Sequence, residues 1–131
     1  MSAPTQKVRD LMYARDLYAC VACGARHPLT HQHRQASGMG GRVRRPTITE
    51  SLTLCADCNT RCETDRQQEA LTNGWKVRRW VRDPAVVPVF YSTENTWYVL
   101  LPNGTRLPIH DALALDQMVG VYGPDYQRGT H

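Results

Sequence analysis

Phenylalanine occurs once in this chain, and no apolar stretch approaches the roughly 20 residues of a membrane span. The scarcity of large apolar side chains points to a modest core. Hydrophobic residues make up 41% of the chain, slightly under the usual share. The lack of a long apolar run excludes a membrane-spanning helix. No internal repeat or low-complexity segment is present, which leaves an ordinary folded domain. Residues 1–5 lead into a charged segment rather than an apolar one, so no secretory signal is legible and the expected setting is cytoplasmic and reducing. A large excess of one charge is also missing. The formal net charge of +4 is a mild bias, so where the basic residues cluster matters more than their total. A length of 131 residues fits one domain with a small appendage.

What is present is cysteine in pairs. Cys20-Val21-Ala22-Cys23 and Cys55-Ala56-Asp57-Cys58 are two Cys-x-x-Cys units in a chain with five cysteines. Two such units at this separation suit one Zn²⁺ bound by four thiolates. Gly24 after the first pair suits the backbone of a metal knuckle. The competing readings are buried unligated thiols or a redox pair, and the latter expects a βαβ context that is absent. Four thiolates fill a zinc shell and leave no position for water, so the metal would be structural. Cys62, one helical turn after Cys58, could face the metal as a spare but reads first as a packing residue.

Hydrophobic spacing organises the rest. Val8, Leu11 and Met12 at i, i+3 and i+4 predict a helix over 6–15, capped by Thr5 or Ser2, with Arg15 largely off the apolar face. Residues 29–34 read as a strand with His31 and His33 on one side and Gln32 on the other. Residues 50–54 read as a second strand ending on Cys55. Between them, three glycines and three arginines (Arg42, Arg44, Arg45) make a basic loop suited to phosphate contacts, or simply a solvated loop. Residues 59–73 read as a helix stopped by Asn73-Gly74. Beyond it, 75–77, 80–81, 88–91 and 97–101 are β-rich, with 92–96 as a hairpin loop and 102–105 as a tight turn. Their aromatic rings are core, or a stacking surface for bases. Residues 111–118 suit a short helix, with a loose tail beyond Gly120. The expected fold is α+β: a zinc-clamped unit over 1–74, a small antiparallel sheet over 75–110, and a helix with a tail over 111–131.

The run Arg15-Asp16, Cys20-x-x-Cys23-Gly24, His33-Arg34, Gly38-Met39-Gly40-Gly41 and Leu54-Cys55-x-x-Cys58-Asn59 resembles HNH endonucleases. The likeness is strongest to the small zinc-containing HNH proteins of actinobacteria and their bacteriophages. It continues through Gly74-Trp75-Lys76-Val77 and the Asp83-Pro84 region and covers roughly residues 7–109. It implies a ββα-metal core holding a second divalent ion, Mg²⁺, Mn²⁺ or Ni²⁺, apart from the structural zinc. By position, His33 matches the general base and Asn59 the metal ligand that opens the helix. Gln32 stands where Asp or His is expected, and His31 or Glu63 could supply the missing ligand. Glu50 stands near the expected orienting Asn and could accept a hydrogen bond from His33.

The function this implies is metal-dependent cleavage or nicking of DNA, with Arg34, Arg42, Arg44 and Arg45 on the phosphates. Two alternatives stand beside it. One is a scaffold that binds DNA without cutting it. The other is a module that binds a host protein through the aromatic stretch of 75–101. None involves a membrane.

Overall fold

The helix expected at the N-terminus forms over Gln6–Arg15 (α1) in the computed structural model, which describes residues 3–36, 44–124 and 126. Thr5 caps it, its hydroxyl accepting the Val8 N–H at 3.2 Å. Met12 is fully buried, as the apolar spacing requires. Arg15 departs from expectation, because it too is buried. Its guanidinium meets the Asp16 carboxylate at 2.8 and 3.0 Å and donates to the carbonyls of Ile48 and Ser51 at 3.0 and 2.7 Å. Asp16 also accepts the Thr53 N–H at 3.0 Å and the Tyr91 hydroxyl. A charge can be buried when its partners are this complete.

Leu29–His33 (β1) and Ser51–Cys55 (β2) pair antiparallel, with Leu29 opposite Cys55 and His33 opposite Ser51. Every residue of β2 is buried. A helix, Ala56–Cys62 (α2), follows at once, its N-cap provided by Cys55. The single helix expected over 59–73 is instead two. A turn separates α2 from Gln67–Thr72 (α3), where the Arg66 N–H returns to the Arg61 carbonyl at 2.8 Å. Cys62 and Ala70 enter one core, and Arg66 at the turn has its guanidinium over the Trp75 ring at 5.6 Å. Gly74 ends α3 with φ +74°, and an added Cβ would meet the Pro88 carbonyl oxygen at 1.8 Å.

The second sheet has three antiparallel strands, Val89–Tyr91 (β3), Thr96–Leu100 (β4) and Arg106–Ile109 (β5), with β4 in the centre. The strands expected over 75–77 and 80–81 do not form; Val77 makes only an isolated bridge to Gln35. A helix, Asp111–Tyr122 (α4), runs past the end expected for it. Leu52 and Leu54 of β2 share one core cluster with Trp75, Val89, Tyr91 and Leu100, so the sheet packs on the cysteine-bearing unit. A second cluster joins Val87 and Trp97 to Ala114 and Met118 of α4. Among the described residues, no helix is long and apolar enough to cross a membrane.

Arg34 corrects an expectation. Placed among the phosphate-binding arginines by sequence, it is 0% exposed. Strand alternation sends Gln32 and Arg34 inward while His31 and His33 share the other face. The guanidinium donates to the carbonyls of Gly74 (3.1 and 2.9 Å), Thr49 (2.9 Å), Pro84 (3.1 Å) and Val87 (2.8 Å). Burial holds its pKa down at about 10. Lysine has one compact ammonium and cannot reach four carbonyls in this fork. Arg34→Lys is therefore expected to lose about 3 kcal/mol or more in urea unfolding, since several buried carbonyls lose their donors.

Candidate functional site

The two Cys-x-x-Cys units come together. The sulfurs of Cys20, Cys23, Cys55 and Cys58 all lie within 4.8 Å of one another. Cys23 and Cys55 are 3.8 Å apart. A tetrahedral ion with Zn–S bonds of about 2.3 Å needs sulfurs about 3.8 Å apart. Backbone N–H groups point at the sulfurs as a knuckle requires, from Ala25 to Cys23 at 3.5 Å and from Cys58 to Cys55 at 3.4 Å. Gly24 sits at φ +84°, and the Gly24 N–H closes the first turn on the Cys20 carbonyl at 2.7 Å. Burial raises the pKa of the Cys20 and Cys58 thiols. Burial alone would raise Cys55 as well, but donors from Cys58 hold it below the ordinary value. The four cysteines could hold a structural metal such as zinc. Cys62 is not in this group. It is fully buried in the core, which pushes its thiol up to about 11.

Next to Cys58 the chain enters a cleft of about 340 Å³ walled by His31, Gln32, His33, Asn59, Glu63 and Lys76. The rings of His31 and His33 meet edge to face at 4.6 Å. His31 Nε2 lies 2.7 Å from the Ser51 hydroxyl, which itself donates to the Thr47 carbonyl at 2.7 Å. The Ser51 proton is thus committed, and Nε2 must be the donor. His31 Nδ1 is then a bare acceptor, buried and without a partner. Burial holds His31 down at about 4, so the ring is neutral near neutral pH.

Asn59 ties α2 to β1. Its amide nitrogen donates to the Thr30 hydroxyl at 2.8 Å and the His31 carbonyl at 3.3 Å. The carboxamide oxygen is the atom left for a ligand. Glu63 is exposed and paired with Lys76 at 3.0 Å. Gln32 stands in the cleft wall but is only 2% exposed, on the inward face of β1, with its amide nitrogen unpartnered. Among the described residues, the cysteines are the one group of His, Cys, Asp or Glu gathered closely enough to share an ion. His31, His33 and Glu63 do not form a second.

Glu50, matched by position to an orienting residue, has its carboxylate engaged elsewhere. Arg44 grips both oxygens at 2.8 and 2.7 Å, and Thr47 adds its N–H at 2.8 Å and its hydroxyl at 2.9 Å. Burial would raise this carboxyl, but these donors overcome it and hold it at about 2. Arg45 reaches the Pro4 carbonyl at 3.3 Å. Arg42 lies outside the described residues. Sequence reading did not find Lys76 or Ser51, since nothing in the spacing marks either one.

Metal analysis tests the cysteine centre. Cys20→Ser combined with Cys55→Ser is expected to abolish bound zinc and the folded state, and zinc retained by the double variant would refute a four-thiolate site. The Glu50 clamp predicts a pH dependence. A carboxyl depressed from 4.5 to about 2 stabilises the fold fully above pH 4.5, and that contribution is lost as pH falls toward 2. Glu50→Gln is expected to melt below wild type near neutral pH, with the gap closing between pH 4.5 and 2. Compared with protein-family models, with curated proteins and with solved structures, the chain has no match.

Proposed function

We propose that this protein is a metal-dependent nuclease of the HNH type, cutting or nicking DNA on a scaffold stiffened by a structural zinc held by four cysteines. One observation carries the reading. Two histidines share one face of β1, and Asn59, the middle residue of α2 and directly after Cys58, lines the same cleft.

His33 is the general base that takes a proton from the attacking water. Asn59 through its carboxamide oxygen, His31 through its bare Nδ1, and Glu63 once it leaves Lys76 would hold the ion. The unpartnered Nδ1 supports this donor set, because a buried acceptor without a donor is costly unless something fills the place. A bound Mg²⁺, Mn²⁺ or Ni²⁺ supplies Lewis-acid stabilisation of the departing 3′-oxygen. Lys76, freed from Glu63, can face a phosphate oxygen. Gln32 stays in the wall, and Glu50 steadies the segment ahead of β2 rather than the base. Arg45, at the edge of the basic loop, supplies a backbone contact to DNA, with Arg44 beside it once it leaves Glu50, and Arg34 does not.

A second reading is favoured by one feature, the Glu63–Lys76 pair that neutralises the carboxylate lining the cleft with the histidines. A protein that keeps that pair on DNA would bind without cutting. Plasmid nicking with each of the three metals separates the two. Wild type is expected to nick, and His33→Ala to nick about 10²-fold more slowly or worse. Equal nicking by His33→Ala would sink the nuclease reading. No nicking with any metal, alongside salt-sensitive binding, would select the second.

A further inference from the structure

A second cavity, of about 250 Å³, is bounded by Gln68, Thr72, Arg78, Trp80, Tyr122 and Tyr126. Its rings are arranged in a row. Trp80 meets Tyr122 edge to face at 5.6 Å, and Tyr122 lies nearly parallel to Tyr126 at 6.4 Å. The row is held in advance. The Arg78 N–H donates to the Tyr122 hydroxyl at 3.3 Å, and the Tyr126 hydroxyl donates to the Thr72 carbonyl at 2.6 Å. Trp75 and Trp97 are buried, whereas Trp80 is 64% exposed. An indole left in water beside an open cavity has a face to offer.

Two further observations define what would fit. Arg78, Arg79 and Arg82 are exposed and make no ion pair among the described residues. Thr72 is 3% exposed, and its hydroxyl has no hydrogen-bond partner. A flat ring surface, unpaired positive charge and an orphan hydroxyl together suit a planar heterocycle that carries a phosphate. An acidic peptide would satisfy the arginines but leave the rings unused. A base pair inside a duplex keeps its faces stacked and cannot offer them.

We propose that this cavity takes an unpaired base of single-stranded nucleic acid, stacked on Trp80, with Arg78, Arg79 and Arg82 along the adjoining phosphates. The proposal rests on the nucleic-acid reading of the first cleft and adds the strand state of the partner. One segment serves both places. Lys76 borders the first cleft, and Arg78 and Trp80 border the second. Gln35, two residues past His33, pins that segment. Its backbone bridges Val77, and its amide donates to the carbonyls of Arg78 at 2.9 Å and Val81 at 2.7 Å. A strand lying along 76–82 thus passes from one cleft to the other.

Fluorescence anisotropy with a labelled oligothymidylate, in buffer without added divalent ions, tests this on the full chain. Wild type is expected to bind the single strand more tightly than a duplex of equal length. Trp80→Ala is expected to weaken binding about fivefold to hundredfold at an unchanged Tm, and Trp80→Phe to keep most of it. Arg79→Gln is expected to flatten the salt dependence by about one ion. Wild-type affinity in Trp80→Ala would overturn the proposal. So would duplex binding as tight as the single strand, or thymidine monophosphate competing as well as the oligonucleotide. The oligonucleotide assay reads no chemical step at His33. Unchanged nicking by His33→Ala therefore defeats the nuclease reading alone, and unchanged oligonucleotide binding by Trp80→Ala defeats this one alone.

Discussion

The guanidinium of Arg34 is a cation buried without a carboxylate. It is held by carbonyl dipoles from four places in the chain: Thr49 before β2, Gly74 after α3, and Pro84 and Val87 ahead of β3. Its own backbone is also fixed, with the N–H on the Glu50 carbonyl at 2.9 Å and the carbonyl accepting Val77 at 2.7 Å. Removing a charge from water costs several kcal/mol, so a site like this persists only when every arm of the fork is matched. The consequence is local rigidity at the end of β1. His33 is the preceding residue, and the direction of its side chain follows from where Arg34 is anchored.

A buried ion pair, Arg15 with Asp16, fixes the chain around β2 in a related way. Arg15 and Asp16 close off α1 and fasten it to the start and the middle of β2 through Ile48, Ser51 and Thr53. Tyr91 joins the second sheet to the same carboxylate. The small apolar core is thus supplemented by polar networks whose members are mutually satisfied, which specify one arrangement more sharply than apolar packing alone. Cys58 and Asn59 are consecutive, so the helix turn that completes the cysteine cluster also sets the cleft residue that grips β1. In the reading proposed here, metal in the first place stiffens the second.

Much of this was legible. The Thr5 cap, the apolar spacing of α1, the alternation of β1 and the two Cys-x-x-Cys units are local patterns, and local backbone preference decides them. The helix break after Cys62 was not legible, because residues 59–73 contain no Gly or Pro. The turn goes with a tertiary contact, the Arg66 guanidinium over the buried Trp75 ring, which no spacing in 59–73 announces. The β-rich residues at 75–81 failed to become strands for a similar reason: Trp75 is drawn into the core, while Gln35 takes up the carbonyls of Arg78 and Val81.

By itself the sequence determined which residues could be ligands and which elements would carry them. Spacing along the chain sets those matters, and hydrogen bonds inside a helix or between neighbouring strands realise them. Only the tertiary structure decided the fate of charge. Arg34 and Arg15 read as solvent-facing cations and are among the most buried side chains, whereas Arg78, Arg79 and Arg82 are exposed. Whether a guanidinium can leave water depends on carbonyls brought to it from distant parts of the chain. No local pattern records where those carbonyls will be.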